Sequence, residues 1–369
     1  MILNTTSRKE GFFMKKLLAL ALLCALVLTA CGPKAPAPTV EPLPTEGPTA
    51  TPTAEPTPEP TPEAKTAVKL AVLPGPTGVG AAKLLHDNEA GTTNNDYTVT
   101  VAADNQQVTA GLLNGDFDIA ALATNVASNL YHKSEGAIQI ACVNTLGTLY
   151  ILNKGIDDTL NSLADLKGRT IYAFGQGANP EYVLRYLLQK NGLDMDKDVT
   201  VVWQTLEEVT ATMLTGEGEL CMLPVPGATA LSVKSEGNIQ PVFDLSAEWD
   251  AVAEEDSRLA MGCIVVRTAF AQEHPEAVQA FLNEYAASID YIRANADGPA
   301  AQMVADAGLV PSAAIAAKAI PQCNLIYLDG EDMRDTIQGY FAALFSIDPA
   351  AIGGSTPDDA FYFMDAVVE

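Results

Sequence analysis

The chain has 369 residues, with 21 Lys and Arg against 46 Asp and Glu, a formal net charge of −25. A field of that sign repels phosphate backbones and anionic headgroups, which excludes nucleic-acid binding as a function class. The same charge favours solubility and says little about any one local pocket.

Lys15 and Lys16 precede an almost wholly apolar run over 17–28. It is too short to span a bilayer as a helix and fits the apolar core of a signal peptide. Leu28-Thr29-Ala30-Cys31-Gly32 follows, similar to the bacterial lipobox, which implies cleavage before Cys31 and a diacylglycerol on its sulfur. Residues 1–30 therefore read as a signal peptide, with Met14 a more typical start than Met1. Cys31 reads as the lipidation site that anchors the chain to the cell membrane; an ordinary signal peptide with an incidental cysteine is the alternative. Residues 32–65 hold eleven prolines and seven threonines. No apolar period is present to offset the entropy of ordering, so 31–65 read as a lipidated Cys and linker. At about 3 Å per residue, a polyproline-rich spacer of this length reaches up to about 100 Å.

Residues 66–369 suffice for one large domain or two lobes. The first strand is expected over Val68–Leu73, ending in Pro74-Gly75-Pro76-Thr77-Gly78, with a helix from Val79 to Asn88. Strand Tyr97–Ala102, helix Gln106–Leu113, strand Asp118–Ala123, helix Val126–Lys133 and strands Ile138–Val143 and Thr148–Asn153 follow. A second set opens near Ser162. It comprises strand Thr170–Phe174, helix Glu181–Asn191, strand Val199–Trp203, helix Leu206–Thr215, strand Leu220–Leu223, helix Ala228–Lys234 and strand Ile239–Phe243. After strand Gly262–Arg267 the pattern is helical: Glu276–Asn295, Pro299–Ala307, Ala313–Ala319, Met333–Ser346 and Asp358–Val368.

The strand runs are apolar throughout, the pattern of a parallel sheet covered on both faces. The fold class is α/β, two-lobed, with the second set inserted in the first at crossings near 153–162 and 244–262 and extra C-terminal helices. Lobe 1 is expected at about 66–158 and 258–369, and lobe 2 at about 159–257. Ligands of open α/β sheets bind beyond the carboxyl ends of the strands, and two facing lobes turn that edge into a cleft closed by a hinge.

Cys24 leaves with the signal peptide. Cys142, Cys221, Cys263 and Cys323 lie far apart in mostly apolar runs without C-x-x-C spacing, so no metal site is indicated. Four buried free thiols are expected, with one or two disulfides the alternative in an oxidising compartment.

Three stretches carry a family resemblance: Ser162 to Ile171; the turn Gly175 to Glu181; and Gly262 to Arg267 with His274-Pro275-Glu276-Ala277-Val278 and Phe281-Leu282. In this order, behind a lipobox, they resemble the type II periplasmic-binding-protein family of nitrate, sulfonate, taurine and thiamine-precursor transport (NMT1-like), over most of 67–300. The resemblance implies an extracytoplasmic, monomeric substrate-binding protein without cofactor. Such a protein delivers a small solute (sulfonate, nitrate, carboxylate or pyrimidine-like) to an ABC permease and its ATPase. The loop Gly175-Gln176-Gly177-Ala178-Asn179 departs from the pattern, since sulfonate and nitrate binders offer Ser/Thr hydroxyls and often a basic group there. Arg185 lies a turn or more into the following helix. Amides at that helix N-terminus remain to hold an anion or carboxylate, and a pyrimidine-like heterocycle fits about as well.

The strand-end loops supply the candidate ligand-binding residues: Thr77 and Gly78, Asn105, Thr124 and Asn125, Thr145 and Gly147, Gly175, Gln176, Gly177, Ala178 and Asn179, and Pro224. Ordinary turn chemistry explains any one of them equally well; the ring as a whole points to a cleft. Trp249, near the return crossing, is a candidate stacking platform, with core packing the alternative for it and for Trp203. No catalytic residue is expected. His86, His132 and His274 are the three histidines, and none lies in H-E-x-x-H. No G-x-S-x-G elbow occurs, and in Gly75–Lys83 Gly80 is followed by Ala81 where a phosphate loop requires Lys and then Ser/Thr. The rival readings are a ligand-sensing lipoprotein that partners a receptor and a lipid-anchored enzyme on the same fold.

Overall fold

A computed structural model describes residues 64–155, 157, 159–254 and 257–364. The expected signal peptide, Cys31 and nearly all of the expected linker lie outside these residues, as does the end of the expected last helix. Strands β1 (Ala67–Val72), β2 (Asp96–Val101), β3 (Ile119–Ala123) and β4 (Ile138–Thr145) come first. They lead into β5 (Leu149–Lys154), β6 (Thr170–Ala173), β7 (Thr200–Trp203), β8 (Leu220–Pro224) and β9 (Ile239–Asp244). β10 (Gly262–Arg267) and β11 (Leu325–Leu328) follow. One sheet has the order β2-β1-β3-β10-β4-β11, the other β7-β6-β8-β5-β9.

The α/β class holds, but the sheets are mixed and not parallel. β10 runs antiparallel between β3 and β4, and β5 runs antiparallel to both β8 and β9. A strand covered on both faces is apolar throughout whichever way it runs, so the sequence pattern cannot report direction. β5 also belongs to the second sheet. The chain therefore leaves the first sheet at Thr145 and joins the second at Leu149, ahead of the crossing expected near 153–162.

Local signals set several boundaries. Thr205 and Glu208 form a reciprocal capping box at the start of helix Leu206–Thr215, which Gly216 ends in a left-handed turn. Helix Gly330–Ile347 buries Met333, Ile337, Tyr340, Phe341 and Leu344, one stripe at helical spacing. Several elements differ from expectation. β11 is a four-residue run held by pairing with β4, a partner far away in sequence. Helices Leu245–Val252 and Thr268–Glu273 are short additions beside β9 and β10. In place of a helix from Asp358 there is a single 3-10 turn, Asp359–Phe361, because Phe361, Tyr362 and Phe363 are buried and Phe363 N donates to Ile140 O at 2.9 Å.

Arg267 fastens β10 to β3. Its guanidinium meets Asp118 Oδ1 at 2.7 Å while Asp118 Oδ2 accepts from Lys69 N on β1. The apolar core continues from the first sheet into the second on one face. There Trp249 packs against Tyr186 at 4.5 Å and Tyr340 at 5.5 Å between ring centres, joining helices that follow both sheets. The opposite face of the first sheet is covered by Phe281, Tyr285 and Ile289 of helix Pro275–Ala294. Among the described residues, no helix is long and apolar enough to cross a membrane.

Candidate functional site

β1, β3 and β4 end, and β10 begins, on one edge of the first sheet. β6, β7, β8 and β9 end, and β5 begins, on one edge of the second. These two edges meet. Asn179, the first residue of helix Asn179–Lys190 beyond β6, reaches Met261 O at 3.0 Å and Thr124 Oγ1 at 3.4 Å through its Nδ2. Its Oδ1 accepts from the Tyr340 hydroxyl at 3.0 Å. Nearby, a side-chain carbon added at Gly75 would lie 3.7 Å from the Pro226 ring of the opposite edge.

The sequence candidates fall around this seam in different roles. Thr124 is fully buried and donates to Ala260 O at 2.6 Å, fixing the start of β10 to the end of β3. Asn125 is 2% exposed and its Oδ1 has no partner. Asn105 spends its Oδ1 on Ala123 N at 3.1 Å, holding the β3 end from the neighbouring helix. Thr145 Oγ1 reaches Pro76 O at 3.4 Å, and Thr77 O accepts from Asn144 Nδ2 at 2.9 Å. Gly78 has no room for a side chain: a Cβ there would lie 1.9 Å from Leu73 O. A Cβ at Gly147 would lie 2.3 Å from Ser246 Oγ, so the connection between the sheets depends on glycine. Gln176 and Gly177 are exposed, Gly175 and Ala178 half-buried, and Pro224 half-buried opposite Leu149.

Trp249 is the correction. It is fully buried between Tyr186 and Tyr340, and its indole N–H donates to Ser257 O at 3.3 Å. Its ring is core and offers no face to a ligand.

Several groups at the seam escaped the sequence reading. Asn144 is 1% exposed; its Nδ2 donates to Thr77 O and to the Tyr285 hydroxyl at 2.8 Å, and its Oδ1 is unpartnered. The one available signal was a polar residue directly after the apolar run Ile138–Val143. Asn324 donates to Gly147 O, and Leu146 N donates to Asn324 O. Tyr285, Asn324 and Tyr340 come from the C-terminal half, and nothing local marks them.

The electrostatics of the second-sheet edge are acidic. Glu181 Oε2 accepts from Gly177 N at 2.8 Å, so a carboxylate of the chain already occupies that loop amide. Arg185 is turned away to Asp196 at 2.6 Å and Glu181 at 3.5 Å; the hydrogen bond to Asp196 raises its pKa. Asp244 caps helix Leu245–Val252 through Ser246 N. Burial, then the Asp244 carboxylate, push the Tyr150 phenol up to about 12. Among the described residues, no group of His, Cys, Asp and Glu is placed to hold a metal ion. Cys142, Cys221, Cys263 and Cys323 are free and buried. A separate groove of about 630 Å³ between helices Gly227–Lys234 and Ala313–Ala319 includes none of the candidate residues.

Two α/β sheets, one inserted in the other and meeting at their strand-end edges, define the periplasmic-binding-protein fold. Solved structures agree. An ABC transporter protein from Parabacteroides distasonis superposes with a TM-score of 0.68 at 23% identity, covering 82% of this chain and 100% of that one. The periplasmic aliphatic sulphonate binding protein SsuA from Escherichia coli gives 0.66 at 13% identity, covering 82% and 94%. The alkanesulfonate-binding protein SsuA from Xanthomonas axonopodis pv. citri, bound to MOPS, gives 0.58 at 16%, covering 79% and 96%. Comparison with curated proteins returns no match. The NMT1/THI5-like family model matches residues 98–298, and the chain belongs to that family.

Proposed function

We propose that this chain is an extracytoplasmic lipoprotein that binds a small solute between the two sheet edges and delivers it to an ABC importer. The observation that carries the reading is the reach of Asn179 from the second-sheet loop to Thr124 and Met261 of the first. A ligand lodged at such a seam touches both edges at once, so it favours the conformer in which they approach, and that conformer is what a permease can distinguish. The fold neighbours from E. coli and P. distasonis support the class of function by their own descriptions, as periplasmic sulphonate binder and ABC transporter protein. We place lobe 2 on the β5–β9 sheet and lobe 1 on the other. Delivery, the ABC permease and ATPase as partners, attachment through Cys31 and a monomeric state complete the proposal.

The test is a thermal-shift screen of the purified chain against sulfonates, nitrate, carboxylates and pyrimidines, with each compound assayed for turnover. Selective binding to the folded state adds about 2.7 kcal/mol at a hundredfold excess over Kd. A shift with one chemical class and no consumption of the compound supports binding. Silence across all classes, or turnover, refutes it. Cys31→Ser should move the protein from the membrane to the soluble fraction of cells; unchanged fractionation removes the lipid anchor from the proposal.

A further inference from the structure

We infer that the seam selects a small neutral or cationic solute rich in N–H donors, and rejects sulfonates and nitrate. This rests on the solute-binding reading above and deepens it. The starting point is a pair of buried acceptors. Asn144 is 1% exposed and Asn125 is 2% exposed, yet the amide oxygen of each has no hydrogen-bond partner. A buried polar atom without a partner is costly, so two at one sheet edge call for a donor.

For Asn144 the orientation is fixed by its surroundings. Thr77 O can only accept, so the Asn144 nitrogen must face it, at 2.9 Å, and the oxygen takes the other branch. That oxygen faces the bare backbone of Gly262, at the start of β10, where no side chain fits. A carbon placed there would lie 2.7 Å from Asn144 Oδ1 and 3.1 Å from Thr77 Oγ1. Asn125 lies one residue beyond Thr124, whose hydroxyl Asn179 approaches across the seam.

The opposite edge agrees in sign. Gly177 N, a loop amide that would otherwise be open to an anion, is already bonded to Glu181. The nearest guanidinium on that helix, Arg185, is paired with Asp196 and Glu181. Asp244 adds a second carboxylate at the end of β9, hydrogen-bonded to Ser246 N. An entering anion would have to displace a carboxylate from its amide and would find amide oxygens on the facing side. A donor-bearing solute satisfies the orphaned oxygens and gains from the acidic wall.

The test is calorimetric titration of the purified chain with four probes: agmatine and cytosine as N–H donors, isethionate and nitrate as anions. Saturable binding of at least one donor probe and none of either anion is expected. Asn125→Ala should weaken that binding at least tenfold without lowering the unfolding midpoint, because its oxygen bonds to nothing in the free protein. Binding of isethionate or nitrate with both donors inert overturns the inference and leaves the solute-binding reading standing. Silence with all four probes overturns the inference and leaves the solute-binding reading to the wider screen. Donor binding that Asn125→Ala and Asn144→Leu leave unchanged also overturns the inference, since the oxygens would then have no part in recognition.

Discussion

Removing the Asn179 side chain tests the join between the two sheets most directly. Asn179 is 2% exposed and spends its amide on Met261 O and Thr124 Oγ1 and its oxygen on the Tyr340 hydroxyl. Asn179→Ala deletes two well-formed bonds and one long one, and leaves the hydroxyl of a fully buried tyrosine without a partner. With about 1 kcal/mol for the bond to Met261 O and about 1–3 kcal/mol for the stranded tyrosine hydroxyl, the loss should be about 2–4 kcal/mol. Tyr340→Phe alone should cost about 1 kcal/mol, because it strands Asn179 Oδ1. In the Asn179→Ala background the same change should cost nothing or stabilise, since it removes the stranded hydroxyl. Equilibrium urea unfolding of the four proteins closes the cycle, with an expected interaction energy of about 1–3 kcal/mol. Additivity within about 0.5 kcal/mol would refute the reasoning, because it would mean that Tyr340 and Asn179 do not share a bond.

Trp249→Ala should cost about 3–5 kcal/mol, measured by urea unfolding, as expected for truncating an aromatic ring in a packed core. In a Trp203→Phe protein, fluorescence of the remaining Trp249 should stay unchanged when any solute binds; ligand-dependent quenching would return Trp249 to the cleft. Gly147→Ala should destabilise by about 1–3 kcal/mol, since its methyl meets Ser246 Oγ and Leu259 and forces the connection between the sheets to shift. A wild-type midpoint would show that this connection is slack. Burial pushes the thiols of Cys221 and Cys323 up to about 12, and raises those of Cys142 and Cys263. Iodoacetamide at pH 8 should therefore leave all four unmodified in the folded chain and alkylate them in urea, with mass spectrometry as the readout. Since the folded values lie above the unfolded value of about 8.5, the thiol contribution is intact below that pH and is lost above it, by up to about 1.4 kcal/mol per pH unit for each thiol. Stability rising between pH 9 and 10 would contradict that sign.

The sequence by itself determined most of the elements. Ten strands are legible because a run such as Ile119–Ala123 or Gly262–Arg267 is apolar on both faces and is bounded by Gly, Pro, Asn or Asp. The long helix Pro275–Ala294 and the helix Asn179–Lys190 are legible because each carries Pro within its first two positions and repeats its apolar residues at helical spacing. Strand direction, the membership of β5, the existence of β11 and the fate of the chain after Asp358 were decided by tertiary structure. Each depends on a partner that local sequence does not contain: β10 sits antiparallel beside β4, β5 beside β8, β11 beside β4, and Phe363 beside Ile140. The seam divides in the same way. Thr124, Asn125 and Asn179 are marked by following apolar strands, but which of them is bonded and which is left open follows from Ala260, Met261 and Tyr340. Trp249 shows the limit most clearly, because an indole reads alike in sequence whether it lines a cleft or fills a core. Only the Tyr186 and Tyr340 rings against it settle which, since burial is a property of the neighbours and not of the residue.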